Sequence, residues 1–114
     1  MTFPIEIQFR DMAPSESIEH QVHSWAEKLS AAGHAIERGV LVLSQPHRHQ
    51  QRGRRFHVRL SLAMPGRDIV VSADPGQDGA HGDAHVAIRD AFLAAMHRLG
   101  AHERERHGGR RSMS

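Results

Sequence analysis

The densest group of side chains that could bind a ligand is a basic segment in the middle of the chain. Residues 46–55 read PHRHQQRGRR and contain four arginines and no acidic residue. A guanidinium presents parallel N–H donors that match two phosphate oxygens, so this segment favours contact with nucleic-acid phosphates. A solvated loop between two strands is the alternative interpretation of the same composition. The arginines concerned are Arg48, Arg52, Arg54 and Arg55.

Pairs of histidines form a second group of candidate site residues, which we consider as metal ligands. A zinc site needs three or four converging ligands, which commonly include Cys or a carboxylate. The chain has no cysteine, and its histidine pairs fall on different predicted elements. We therefore expect neither a metal site nor another cofactor. The pairs are His20 with His23, His47 with His49, and His81 with His85.

A glycine-rich segment with three aspartates precedes the last predicted helix. Asp74, Asp78 and Asp83 lack the alternating acids and terminal Glu of a calcium loop, and no Lys marks a phosphate-binding loop. We interpret the segment as a solvated connection in which Asp83 caps the helix that follows.

Nothing in the chain marks a catalytic nucleophile. Ser, His and Asp are all present, but no serine lies in a nucleophile elbow or another context that would activate it. We therefore predict that the protein is not an enzyme and has no small-molecule substrate.

The composition is that of one small domain in a reducing compartment. The 114 residues are 39% hydrophobic and 25% charged, and the formal net charge is only +2. The 11 histidines would add about five positive charges near pH 6.5 if unperturbed. The absence of cysteine, of a signal peptide and of a long apolar run predicts a cytoplasmic protein without membrane contact.

Alternating apolar residues predict four strands. Ile5, Ile7 and Phe9 alternate with polar residues, which predicts a strand with one buried face. The run VLVL at 40–43 predicts a strand near the centre of the sheet or buried on both sides. Residues 56–62 and 69–73 alternate again, and the Pro65-Gly66 turn between them predicts an antiparallel pair.

Two segments have helical periodicity. Ser15 is a suitable N-cap, and the apolar positions 18, 22, 25, 26 and 29 trace one stripe before Gly33. Positions 84, 88, 91, 92, 95 and 99 trace a second stripe. The predicted fold class is therefore α+β, a two-layer β-α-β-β-β-α sandwich whose four-stranded sheet has two helices packed on one face. We expect a single domain over residues 1–107 and a disordered tail at 108–114.

This element order, with the run FHVRLSL at 56–62 and the helix VAIRDAF at 86–92, resembles the ribosome hibernation promoting factor family. Members are also called ribosome-associated inhibitor A or sigma-factor modulation proteins. The resemblance extends over about residues 3 to 105 and includes the Pro46-His-Arg-His49 segment. The chain has no counterpart of the second, C-terminal domain that long members carry, so it resembles the short form.

The resemblance implies a ribosome-associated translation inhibitor, a hibernation factor that acts in the stress response. It would bind the small ribosomal subunit and its rRNA at the decoding region and exclude mRNA and tRNA, either alone or together with another hibernation factor. Basic side chains of the helices make the contacts in that family, whereas this chain has alanines and glutamates among the bases of its last helix. The matching basic positions are Lys28, His97, Arg98, His102 and Arg104, to which charge alone adds Arg89 and the 48–55 segment.

Two other functions remain open. A protein-interaction or general RNA-binding regulatory module could use the open face of the sheet, where we expect Glu6, Gln8, Arg10, His57 and Arg59. The absence of aromatic residues at the exposed positions of the third strand argues against base stacking of the RRM type. A metal-dependent enzyme is the third possibility, and the scattered histidines do not favour it.

Overall fold

The structure is a computed structural model that describes residues 2–45, 56–73 and 84–111, with side chains of the last helix described as far as Ala101. Its elements follow the predicted order β-α-β-β-β-α. The strands and helices are β1 (Ile5–Arg10), α1 (Glu16–Ala31), β2 (Arg38–Ser44), β3 (His57–Met64), β4 (Arg67–Ala73) and α2 (Ala84–Arg111).

The strands form one mixed sheet in the order β1-β2-β3-β4. β1 pairs parallel with β2, with Ile7 opposite Leu41, and the α1 crossover provides the connection that parallel strands require. β2 pairs antiparallel with β3, and β3 pairs antiparallel with β4, as the Pro65-Gly66 turn predicts for the second of these pairs. The α+β sandwich is therefore confirmed.

One face of the sheet is covered and the other is open. Leu41 and Leu43 of β2 are fully buried, whereas Val40 and Val42 on the opposite side are half-buried. β2 lies between β1 and β3, which confirms its predicted place near the sheet centre. Both helices contact the covered face, α1 against β1 and α2 against β3 and β4.

Helix α1 begins and ends where the sequence predicts. The Ser15 hydroxyl accepts a hydrogen bond from the Ile18 backbone N–H at 3.3 Å, which satisfies one free donor of the first turn. After Ala31 the chain leaves the helix through Gly33, whose φ of 86° lies in the left-handed region. The four fully or nearly fully covered residues of α1 are Ile18, Val22, Ala26 and Leu29.

Helix α2 supplies six buried apolar residues to the core. Ile88, Ala91, Phe92, Ala95 and Leu99 are buried, together with Ala87, while Ala84 is half-buried. The helix continues through Gly100 to Arg111, beyond the boundary at residue 107 that we expected for the domain. Asp83, the expected cap, and residues 112–114 lie outside the described residues.

The two helices run in the same direction across the sheet. Near their starts Ser17 of α1 contacts His85 of α2, and further along Trp25 contacts Phe92. Because the contacts advance together in both helices, α1 and α2 are parallel neighbours. Their outer surfaces form one continuous helix layer, which presents the exposed side chains of both helices on the side away from the sheet.

Candidate nucleic-acid interface

Four of the predicted RNA-binding residues have described side chains, and all four lie on the helix layer. Lys28 is on α1, and Arg89, His97 and Arg98 are on α2, each exposed. His102 and Arg104 belong to the part of α2 whose side chains lie outside the description. The 46–55 segment, with Arg48, Arg52, Arg54 and Arg55, lies outside the described residues as well.

Lys28 is held above an aromatic stack. Its Nζ lies 4.7 Å from the centroid of the Trp25 ring, a cation–π distance. The Trp25 ring stacks in turn on Phe92 of α2. The ammonium group is therefore positioned over the junction of the two helices, and its outer side faces solvent.

Arg89 lies on the side of α2 that faces α1. It comes four residues after His85 and three before Phe92, both of which contact α1, and such spacings share one helix face. Its Nη2 lies 3.3 Å from Oδ1 of the adjacent Asp90, in an exposed ion pair. Exposed pairs of this kind contribute little to stability, so Arg89 can exchange Asp90 for a phosphate at small cost.

Arg98 lies on the other side of α2, above the outer edge of the sheet. Its Nη1 donates a hydrogen bond of 2.6 Å to the backbone carbonyl of Val70 in the edge strand β4. An edge strand has a row of backbone groups without a strand partner, and Arg98 satisfies one of them. The residue predicted to bind RNA therefore also has a structural contact that the sequence did not indicate.

The helix layer carries both signs of charge. Among the described residues, the two helices carry three cations and four carboxylates. The cations are Lys28, Arg89 and Arg98, and the carboxylates are Glu16, Glu19, Glu27 and Asp90. The described part of the layer is consequently not a uniformly basic surface. Any phosphate contact there depends on individual cations rather than on the summed field of the helices.

A polar cluster that the sequence did not predict joins the starts of the helices. The Gln21 side-chain amide donates to the His85 backbone carbonyl at 2.9 Å, which turns its Oε1 toward His85 Nδ1 at 2.6 Å. A carbonyl oxygen only accepts, so Nδ1 carries the proton. The other ring nitrogen, Nε2, lies within hydrogen-bond distance of the Ser17 hydroxyl, at 3.3 Å.

This Ser17–His85–Gln21 arrangement has the connectivity of a catalytic triad but not its electrostatics. An amide oxygen carries no net charge, so it stabilises the imidazolium that forms when histidine takes a proton less than the carboxylate of a Ser-His-Asp triad does. All three hydrogen bonds are exposed to solvent. We interpret the cluster as a set of hydrogen bonds that connects α1 to α2. Only the pairing of the helices in space reveals it, because Gln21 and His85 are far apart in the sequence.

Metal ligands do not converge in the part of the chain that the structure describes. No group of three or more His, Asp or Glu side chains there could hold an ion. His20 and His23 lie exposed on α1, and His85 takes part in the polar cluster. His47, His49 and His81 fall outside the described residues. In the same described part, neither helix is long and apolar enough to cross a membrane.

The residues expected on the open face of the sheet are found there. Glu6, Gln8 and Arg10 of β1 form a ladder in which the Gln8 amide donates to Glu6 at 3.1 Å and Arg10 donates to Gln8 at 3.5 Å. Two strands away, Arg59 is exposed and His57 is half-buried. The helix layer and this open face are thus the two large surfaces on which charged side chains could meet a partner.

Known proteins resemble this chain in both sequence pattern and fold. A model of the family described as sigma 54 modulation protein / S30EA ribosomal protein matches residues 5–107. The crystal structure of the N-terminal domain of Protein Y from Thermus thermophilus has a similar fold, with a TM-score of 0.63 at 16% sequence identity. That likeness covers 87% of this chain and 96% of the other. No curated protein matches in sequence. Since the family model extends over all four strands and most of α2, the chain belongs to the sigma 54 modulation protein / S30EA ribosomal protein family.

Proposed function

We propose that this protein is a ribosome-associated translation inhibitor that binds the small ribosomal subunit at the decoding region. Bound there, it excludes mRNA and tRNA, and it acts without catalysing a reaction. The observation that carries the proposal is the family match, which includes every strand, α1 and most of α2. The proposed partners are the small subunit with its rRNA and, in addition, another hibernation factor, and the compartment is the cytoplasm.

The helix layer supplies the contacts to rRNA. Lys28 and Arg89 approach the junction of the helices from either side, and His97 is exposed on the outer side of α2. The stack of Trp25 on Phe92 and the Ser17–His85–Gln21 cluster keep the helices in register with each other. Cations on a rigid surface lose less conformational entropy on binding than cations on a flexible segment.

Inhibition follows from occupancy alone. A folded domain in the path of mRNA and tRNA prevents their binding for as long as it remains bound, so no bond needs to form or break. The inhibition is therefore stoichiometric with the ribosome and reversible. Because phosphate contacts release counterions, the affinity falls steeply with salt, with a log–log slope of about 0.7 to 0.9 for each phosphate neutralised.

The test is co-sedimentation of tag-free protein with vacant small subunits at several salt concentrations. We compare wild type with Arg89→Glu and with a control, Arg38→Glu. The control makes the same charge change on the open face, in the row in which Ala63 separates Arg38 from Asp68. Arg98 is unsuitable for this purpose because its loss also removes the bond to Val70. We expect salt-sensitive binding that Arg89→Glu weakens and Arg38→Glu leaves nearly unchanged. Absence of binding even at low salt would contradict the proposal.

The open sheet face favours a second candidate, a protein-interaction or general RNA-binding regulatory module. Half-buried Val40, Val42 and Val70 lie there among polar side chains. A nuclease-treated preparation that keeps a protein partner would support the interaction module. A preparation that loses its partner together with the RNA would support RNA binding.

A further inference from the structure

The register of the strands brings positive charge together at one end of the open face. Arg10 of β1 lies opposite Ser44 of β2, which lies opposite His57 of β3, so the three form one row across the sheet. In the next row Gln8, Val42, Arg59 and Ser72 lie side by side. These side chains point away from the helices, because the alternating residues Leu43, Val58 and Leu60 are buried beneath them.

These two rows contain no acidic residue within the described strands. The acids of the open face, Glu6 and Asp68, lie in the two rows at the opposite end. The Gln8 side chain lies between Glu6 and Arg10: its amide N–H donates to the Glu6 carboxylate, and its carbonyl accepts from Arg10. The carboxylate therefore does not pair directly with the Arg10 guanidinium. Apart from Asp11, which directly follows Arg10, the described residues at this end of the face are basic or uncharged, in contrast to the mixed charges of the helix layer.

The spacing of Arg10 and Arg59 suits a polyanion. The two residues are two strands and two residues apart, which places their Cα atoms about 12 Å from each other. This separation is close to one Debye length at moderate ionic strength, so the fields of the two guanidinium groups overlap, and His57 adds a hydrogen-bonding ring beside them. Val42 is half-buried and lies on the strand between Arg10 and Arg59, so its side chain offers an apolar surface that a ribose can contact.

We propose that this Arg10–Arg59 surface, formed by Arg10, His57 and Arg59 around Ser44 and Val42, is a second RNA-binding site that contacts backbone phosphates. The proposal extends the proposed function, on which its choice of RNA as the polyanion rests. Two opposite faces of the domain would then contact RNA, the helix layer and this end of the sheet. No Phe, Tyr or Trp lies in the two rows of the described strands, so recognition is mainly by phosphate and shape rather than by base stacking.

The experiment measures by fluorescence anisotropy how tightly the protein binds a labelled RNA duplex. The duplex has about 20 base pairs, which is slightly longer than the stretch that one small domain spans. The variant is Arg10→Glu with Arg59→Glu. The matched control is Arg38→Glu with Arg67→Glu, two equal charge reversals near the end of the sheet that holds Asp68. We expect the Kd to rise about tenfold or more in the first variant and about twofold or less in the control.

Neutral variants keep the test valid if a charge reversal impairs folding. Arg59→Gln should lower the log–log salt slope by about one, because one phosphate contact is lost. Thermal unfolding followed by circular dichroism checks that each variant is folded. An unchanged Kd and slope in folded Arg10 and Arg59 variants, or an equal effect of the control, would overturn the proposal and leave a protein as the partner of this face.

The same variants separate this inference from the proposed function. If wild type binds small subunits and the Arg10→Glu, Arg59→Glu variant binds them and the duplex equally well, the second site is wrong and the proposed function stands. If wild type binds the duplex through Arg10 and Arg59 but does not bind small subunits, the proposed function is wrong and the second site stands.

Discussion

The aromatic rings of Trp25 and Phe92 are stacked, with centroids 5.6 Å apart and planes inclined by 6°. Trp25 belongs to α1 and Phe92 to α2, so this pair joins the two helices above the sheet. Phe92 is fully buried, whereas Trp25 is half-buried and carries Lys28 on its accessible side. One contact thus links the apolar core to the surface proposed to bind rRNA.

Replacement of Phe92 should test the importance of this stack for stability. We expect Phe92→Ala to lower the free energy of unfolding by about 3 to 5 kcal/mol, because it leaves a cavity and removes the ring contact. The neighbouring Leu93, which is 47% exposed, provides the control, and Leu93→Ala should change stability by about 0.5 kcal/mol or less. Urea unfolding followed by the fluorescence of Trp25, the single tryptophan, measures both. Equal losses in the two variants would contradict the packing described.

Arg98 should affect stability more than Arg89 does. Arg98→Ala removes the hydrogen bond to the Val70 carbonyl at the sheet edge, and we expect a loss of about 1 kcal/mol. Arg89→Ala removes only the exposed pair with Asp90 and should cost about 0.5 kcal/mol or less. Thermal unfolding of the two variants at one pH gives the comparison. Identical melting temperatures would show that the Arg98 bond contributes nothing.

A larger side chain at Gly39 should lower stability. A Cβ atom there would lie 3.1 Å from Phe3 Cε1 and 3.2 Å from Leu62 Cδ2, which is closer than ordinary contact. We expect Gly39→Val to lower the free energy of unfolding by about 1 to 3 kcal/mol, because the buried Phe3 and Leu62 side chains must shift to admit it. The pair Gly39→Ala and Phe3→Leu forms a double-mutant cycle, measured in urea. A favourable coupling energy is expected, and strictly additive effects would contradict the close approach.

Lys28 should contribute to binding more than to folding. Its cation–π contact with Trp25 is exposed, so Lys28→Gln should cost about 1 kcal/mol of stability or less. The same variant should reduce the salt slope for binding to small subunits by about one, because a phosphate contact is lost. Lys28→Arg is the conservative control and should retain the slope. If Lys28→Gln lowers stability but leaves the slope unchanged, Lys28 has a structural role only.

The fold could be predicted from the sequence because its signals are local. Alternation in β1 and β3, the Ser15 cap and the apolar stripes of both helices each depend on a few neighbouring residues, and all are found in the structure. The end of α2 was less predictable. Gly100 and the polar residues after it weaken the helical pattern, yet the helix continues to Arg111. Helix ends depend on weak local preferences that the rest of the helix can override.

The candidate site could be predicted only as a set of basic residues. The sequence identified Lys28, Arg89 and Arg98 as cations but not what they touch. Their contacts with Trp25, Asp90 and the Val70 carbonyl depend on how α2 is rotated against α1 and β4. The row of Arg10, Ser44 and His57 depends likewise on strand register, which joins residues distant in the chain.

The most direct test of the central claim is competition for the decoding region. Labelled mRNA is bound to vacant small subunits, the protein is added in increasing amounts, and the mRNA that remains bound is measured by filter binding. The proposed function predicts that bound mRNA falls to background as the protein reaches one copy per subunit, with weaker competition at higher salt. Stable binding of the protein beside a full complement of mRNA would contradict the claim.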